Sequence, residues 1–181
     1  MSARRVPYAL AVVSLIAVTD RERAALETLF QLYSYDWSEL LPLELGDDGR
    51  FADHALRPFT EHAAGHHAFV IRAGARLAGF ALVVDRSRLT GVEGIFDMAE
   101  FFVVRGARRG GVGRAAACAI FDRFPGRWEI RQRPDNRDAT AFWRRVVDRY
   151  TDGRYEEHVW NDARWVGPVQ TFVASPTAGR A

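Results

Sequence analysis

The stretch Phe101-Phe102-Val103-Val104-Arg105-Gly106-Ala107-Arg108-Arg109-Gly110-Gly111-Val112-Gly113-Arg114 reads as a strand that passes through a glycine-rich loop into a helix. Successive backbone N–H groups at a helix N-terminus converge on an anion, glycine lets the ligand approach closely, and the macrodipole favours negative charge there. Arg105, Arg108, Arg109 and Arg114 add positive charge around the turn. The expectation is a phosphate-binding loop, with a solvated turn and a glycine N-cap as the alternative. A P-loop is excluded, because the chain has no lysine to complete G-x-x-x-x-G-K-[ST]. Gly111-Val112-Gly113-Arg114-Ala115-Ala116 does match the dinucleotide pattern G-x-G-x-x-A. Its context argues against that reading: a hairpin precedes the loop, and Arg105 to Gly110 separate strand from turn. The acidic ribose ligand expected about 20 residues on falls among Arg131, Gln132 and Arg133. Arginine there would have to mean a 2′-phosphate, so an NADP-binding oxidoreductase stays as a distant alternative.

Upstream of the loop, Ile95 to Val104 reads as a β segment, preceded by His67 to Arg72 and Leu77 to Asp85, with Gly74 in the connecting hairpin turn. Further back, Val6 to Val18 reads as a buried strand, and Thr19-Asp20-Arg21-Glu22 is a capping box that opens a helix to Tyr35. Asp36 to Asp53 is a loop or broken helix, and a short helix interrupted near Pro58 follows within Phe51 to Ala64. Downstream, an alanine-rich helix spans Gly111 to Phe124 and a strand spans Arg127 to Arg133. A helix starting at Pro134-Asp135-Asn136 then carries Ala139, Phe142, Trp143, Val146, Val147 and Tyr150 on one stripe. Two last strands, Arg154 to Trp160 and Arg164 to Val173, flank a turn at Asn161-Asp162. The order β, α, (α), β, β, β, α, β, α, β, β predicts an α/β (α+β) fold. Its mixed, mostly antiparallel sheet of about seven strands is flanked by helices on both faces. One domain is expected over 1–174, with a flexible tail at 175–181.

Two of these motifs resemble the GNAT N-acetyltransferase superfamily. Its loop pattern Gln/Arg-x-x-Gly-x-Gly/Ala after a strand is met by Arg108-Arg109-Gly110-Gly111-Val112-Gly113, behind a strand with Val103 where the family has valine. Its later helix pattern Asn-x-x-Ala-x-x-Φ-Tyr is met by Asn136-Arg137-Asp138-Ala139-Thr140-Ala141-Phe142-Trp143 in all but the last position. The resemblance covers Ile95 to Tyr150, and the N-terminal half agrees in pattern only.

The resemblance implies an acetyl-CoA-dependent N-acetyltransferase acting by direct attack of a primary amine on the thioester. Acetyl-CoA would lie with its pyrophosphate on the amides of Arg109, Gly110, Gly111, Val112, Gly113 and Arg114, beside Arg108, and with its pantetheine along Phe102, Val103 and Val104. Asn136 would touch the cosubstrate or cap its helix. An ammonium nucleophile must first lose a proton, and Glu100 and Asp97 are the candidate bases, Glu100 favoured for its place beside the thioester. They point to opposite faces of a regular strand, so only one aims at the cleft unless a bulge intervenes. Either could instead be ion-paired with an arginine. Trp143 stands where the family often has the tyrosine that protonates the departing thiolate. An indole N–H cannot serve as that acid, so the thiolate leaves unassisted or another tyrosine serves, and Trp143 reads as core or as a wall for pantetheine. A non-catalytic acyl-CoA-binding module is the alternative that this departure motivates. The acceptor would be a small-molecule or peptide amine, and Tyr33-Ser34-Tyr35-Asp36-Trp37 with Glu39 would supply an aromatic, acidic wall in a substrate-side loop.

Composition agrees with that reading and narrows the partners. The chain has 181 residues, 48% hydrophobic and 27% charged, and its 25 basic residues, all arginine, face 23 acidic ones for a net charge of +2. Disorder is excluded, and the interspersed charge implies neither a nucleic-acid partner nor a membrane surface. Absence of lysine also removes Schiff-base chemistry. A single cysteine, Cys118, suits a reducing, cytoplasmic setting and excludes a multi-cysteine zinc site. Arg4 and Arg5 before the apolar run to Val18 imitate a secretory signal, but no small-residue cleavage site follows. His62 and His66 stand at i, i+4 without a third ligand, and no G-x-S-x-G exists, so no metal is expected. Homodimer formation is compatible with the resemblance.

Overall fold

The structure, a computed structural model, describes residues 11–175. Its seven-stranded sheet has the order β1-β2-β3-β4-β5-β7-β6. The strands are β1 (Val13–Ala17), β2 (His66–Ala73), β3 (Arg76–Arg86), β4 (Glu93–Val103), β5 (Gly126–Arg131), β6 (Tyr155–Asn161) and β7 (Val166–Ala174). The helices are α1 (Asp20–Trp37), α2 (Arg57–Thr60), α3 (Val112–Arg123) and α4 (Arg137–Thr151). Every neighbouring pair is antiparallel except β4 with β5. The expected mixed, mostly antiparallel sheet is therefore present. Of the first predicted strand, Val13–Ala17 forms β1, an edge strand whose residues are exposed or half-buried rather than buried as expected, and Val6 to Leu10 lie outside the described residues, as do 176–181 of the predicted tail.

Local chemistry starts each helix where the sequence signals it. Thr19 and Glu22 form the capping box of α1, whose buried stripe is Leu26, Leu29 and Phe30. Asn136 caps α4 by accepting from the Ala139 N–H at 3.1 Å. Gly111 precedes α3 with φ of 83°, a left-handed conformation that glycine adopts without a Cβ clash. Pro58 does not interrupt its helix. It sits in the first turn of α2, where a missing N–H leaves no bond unmade.

Strand alternation sends successive side chains to two covered faces. On one face Phe80, Leu82, Val84 and Phe102 pack with Leu26, Leu29 and Phe30 of α1 and Phe59 of α2. On the other, Ala81, Val83, Met98, Trp128 and Ile130 pack with Ala117, Ile120 and Phe121 of α3 and Trp143, Val146, Val147 and Tyr150 of α4. Burial on both sides explains why β3 reads as a nearly continuous apolar run rather than an alternating one.

Two irregularities place the site. The β3–β4 register jumps from Leu82 with Glu100 to Val83 with Met98, so Ala99 is an extra residue in β4. The β4–β5 pairing covers only Ile95 to Asp97 against Arg127 to Glu129. Beyond Asp97 the two strands part, and the edge of β4 from Met98 to Val103 has no strand partner on that side among the described residues. This edge runs straight into the glycine loop.

Candidate active site

After β4 the chain makes one 3-10 turn over Arg105–Ala107 and a further turn through Arg108 to Gly111 before α3 begins. The first bond of the α3 ladder runs from the Ala115 N–H to the Gly111 carbonyl at 3.0 Å, so the amides of Val112, Gly113 and Arg114 precede it. Arg109 adopts φ of 64°, unusual for a residue with a Cβ, and Gly111 repeats the left-handed turn two residues later. Alternation of this kind curls the backbone so that consecutive N–H groups face one concavity. A Cβ on Gly113 would stand 3.2 Å from the Phe142 ring and 3.5 Å from the Val103 side chain. Glycine there lets α3 start close against β4 and α4.

The four arginines around the loop are not equivalent. Arg105 donates from Nε to Asp36 Oδ1 at 2.9 Å, and Arg108 pairs with the other oxygen of the same carboxylate. Arg108 also donates from Nε to the Val103 carbonyl at 2.7 Å. Arg109 and Arg114 are exposed and make no ion pair among the described residues. Asp36 belongs to the last turn of α1, which extends to Trp37, so Tyr33 to Trp37 form a helix end rather than the expected loop.

The extra residue at Ala99 brings Asp97 and Glu100 to the same face of β4, the face covered by α1, where a regular strand would separate them. Their surroundings differ. Asp97 is fully buried and takes a bidentate pair from Arg131 of β5, at 2.8 Å to Nε and 3.2 Å to Nη2. The Arg131 guanidinium lies 4.7 Å from the centre of the Trp165 ring. A carboxylate with no exposure requires such a partner. Glu100 is partly buried and accepts through Oε2 from the Tyr33 hydroxyl, and Oε1 has no hydrogen-bond partner among the described residues. Burial pushes the Glu100 carboxyl above the usual carboxylate range. The Tyr33 hydrogen bond, Arg88 and Arg131 oppose that rise, and Asp97 adds to it. Burial and the Glu100 carboxylate hold the Tyr33 phenol well above its own usual range.

On the opposite face Phe101 stacks on Phe142 and meets Trp143 edge-on, with ring centres 5.9 and 5.1 Å apart. Trp143 is buried in the core. The Tyr150 hydroxyl donates to Asp122 Oδ1 at 2.9 Å. Asn136 is engaged in capping α4. No group of three His, Cys, Asp or Glu side chains among the described residues is arranged to hold a metal.

Thus Phe102, Val103 and Val104 follow Glu100 along β4 and lead into the loop residues 108–114, with Asp97 three residues before Glu100 on the same strand face. Sequence reasoning missed that Tyr33 meets Glu100 and that Arg131 meets Asp97. The first had a signal: Tyr33 continues the stripe of Leu26, Leu29 and Phe30 and so faces the sheet. The second had none, since it depends on which residues of β4 and β5 pair.

No protein-family model and no curated protein matches this chain in sequence. Solved structures do match in three dimensions. One is a GNAT-family protein from Desulfovibrio desulfuricans, at 13% identity and TM-score 0.64, over 91% of this chain and 100% of that one. Another is Mycobacterium smegmatis RimJ in complex with CoA-disulfide, at 21% identity and TM-score 0.58, over 94% and 85%. A third is the spermidine N-acetyltransferase from Vibrio cholerae in complex with CoA and spermine, at 12% identity and TM-score 0.59, over 90% and 95%.

Proposed function

With the GNAT fold as premise, we propose that this protein is an acetyl-CoA-dependent N-acetyltransferase in which an amine attacks the thioester directly. The observation that carries the reading is the parting of β4 from β5 directly above a glycine loop, with Glu100 on the strand between them. The loop fits a pyrophosphate. Amides that precede the α3 ladder face it, and Arg109 and Arg114 are exposed beside it. Beyond Asp97 the side of β4 turned away from β3 has no strand partner among the described residues, and it offers backbone groups to the amide-bearing pantetheine arm, while the Val103 carbonyl takes Arg108 Nε and the Val104 N–H bonds the Ala78 carbonyl.

When bound, acetyl-CoA supplies an activated acyl carbon. Glu100 takes the proton that the acceptor ammonium must lose, through Oε1 or one intervening water. The amine nitrogen then bonds to the acyl carbon, the carbon–sulfur bond breaks with its electron pair on the departing sulfur, and the second nitrogen proton passes to that thiolate or to solvent. Trp143 offers no acid for that thiolate, and the Tyr150 hydroxyl is occupied by Asp122, so α4 gives no help with its departure. Asp97 acts as the buried counter-ion of Arg131 rather than as a second base. The acceptor is a small-molecule or peptide amine, approaching from the α1 side past Tyr33 and Trp37.

Calorimetry with acetyl-CoA and thiol release across a panel of amines test this together. Binding with transfer is the expected outcome, and no binding at high micromolar acetyl-CoA overturns it. Tight binding with no transfer to any amine would leave the second reading, an acyl-CoA-binding module, which Trp143 favours. For the base, Glu100→Gln lowers kcat at least tenfold and leaves acetyl-CoA affinity within a factor of about two. An unchanged rate removes Glu100 from the role.

A further inference from the structure

Glu100 is held by a residue from a distant part of the chain. Tyr33 lies 67 positions earlier, on α1, and reaches across to Glu100 Oε2. Its ring is fixed on several sides: Phe80 and Phe102 meet it edge-on at 5.5 and 5.9 Å, Phe30 lies at 5.5 Å, and Trp37 closes the remaining side at 5.9 Å. Aromatic contacts of this number hold a ring in one place, so the hydroxyl has a set position. Because the phenol is held above its usual range by burial and by the Glu100 carboxylate, it stays protonated and donates to Glu100, while the Trp37 side chain hydrogen-bonds to its oxygen. A carboxylate has two oxygens, and this one has Oε2 engaged and Oε1 without a partner among the described residues.

We propose that Tyr33 is the positioning residue of the acetyl-transfer site: its hydroxyl anchors Oε2 of Glu100 and leaves Oε1 as the oxygen that receives the acceptor's proton. The proposal rests on Glu100 being the base. It also gives α1 a catalytic duty beyond packing. The charged and titratable groups that face Glu100 are Tyr33 from α1, Arg88 from the β3–β4 turn, Asp97 on β4 and Arg131 on β5. Of the influences that oppose burial, the Tyr33 hydrogen bond is the largest.

Tyr33→Phe keeps the ring and removes the anchor. Two measurements on the full chain read the result. Carboxyl-carbon NMR titration should show the Glu100 midpoint moving to higher pH in Tyr33→Phe by roughly one unit, the size expected for losing a hydrogen bond to a charged group. The acidic limb of the kcat/KM profile should move the same way, with a roughly tenfold loss on that limb that recovers on the alkaline side, and with acetyl-CoA affinity unchanged. A packing defect would lower activity at every pH and leave the midpoint in place. An unmoved midpoint overturns the proposal. So does a moved midpoint with a rate profile identical to that of the parent. The two readings fail separately: if Glu100→Gln retains full activity, Glu100 is not the base, whereas an unmoved midpoint with an inactive Glu100→Gln removes Tyr33 alone.

Discussion

At the scale of single residues, the two carboxylates on β4 show how one strand face gives similar groups different work. Asp97 is satisfied by a guanidinium, whereas Glu100 has a phenol on one oxygen and burial acting against its charge. Burial of Glu100 carries a consequence for stability. Its folded pKa lies above the unfolded value, so the stability linked to this group is fully present below about pH 4.3 and is lost as pH rises through the folded value. Glu100→Gln removes that loss while its amide oxygen still accepts from Tyr33. The variant should therefore unfold at a higher temperature than the parent at pH 7.5, with the gap closing below about pH 4.3. Thermal melts across that range check it, and equal melting temperatures at pH 7.5 would contradict it.

At the scale of elements, the last turn of α1 does two things three residues apart. Tyr33 reaches Glu100, and Asp36 takes Arg105 and Arg108. Both guanidinium groups remain largely exposed, so the pairs contribute little to stability, of order 0–1 kcal/mol each. Their larger effect is on the field at the loop. Asp36 cancels one positive charge beside the amides at the start of α3, so Asp36→Asn should tighten acetyl-CoA binding about two- to fivefold at low salt and less at high salt. Calorimetry at two ionic strengths checks this. A weaker or salt-independent response would mean that Asp36 serves to place the loop instead. The glycine loop was legible as a candidate anion site because its glycines, its arginines and the following helix are contiguous in the chain. The division of its arginines into paired and unpaired was not legible, since Asp36 arrives from another element.

At the scale of the whole molecule, the sheet is two antiparallel arms joined along a short parallel seam of β4 and β5. The Asp97–Arg131 pair sits where the seam ends, one partner on each arm, and Ser87 adds a 2.7 Å hydrogen bond to Glu129 beside it. Removing one member of a buried pair strands the other charge, so Asp97→Ala should cost about 3–5 kcal/mol in urea unfolding. Replacing both, Asp97→Leu with Arg131→Met, should cost clearly less than the sum of the single changes. A single variant that loses under about 1 kcal/mol would mean that strand pairing alone holds the seam.

What the sequence by itself determined is everything set by neighbours along the chain: the capping of α1 and α4, the β2–β3 hairpin, the stripe of α4, the glycine loop and the order of elements. These depend on periodicity and on turn and cap chemistry, which act over a few residues. Together with the loop and Asn136 motifs they also carried the resemblance that anticipated the fold. Only the tertiary structure decided where β4 leaves β5, that Ala99 turns Asp97 and Glu100 to one face, and which partner each carboxylate receives. The physical reason is that a bulge is a mismatch between two strands, and a buried charge is settled by whatever the packing brings to it from Tyr33, Arg88 and Arg131.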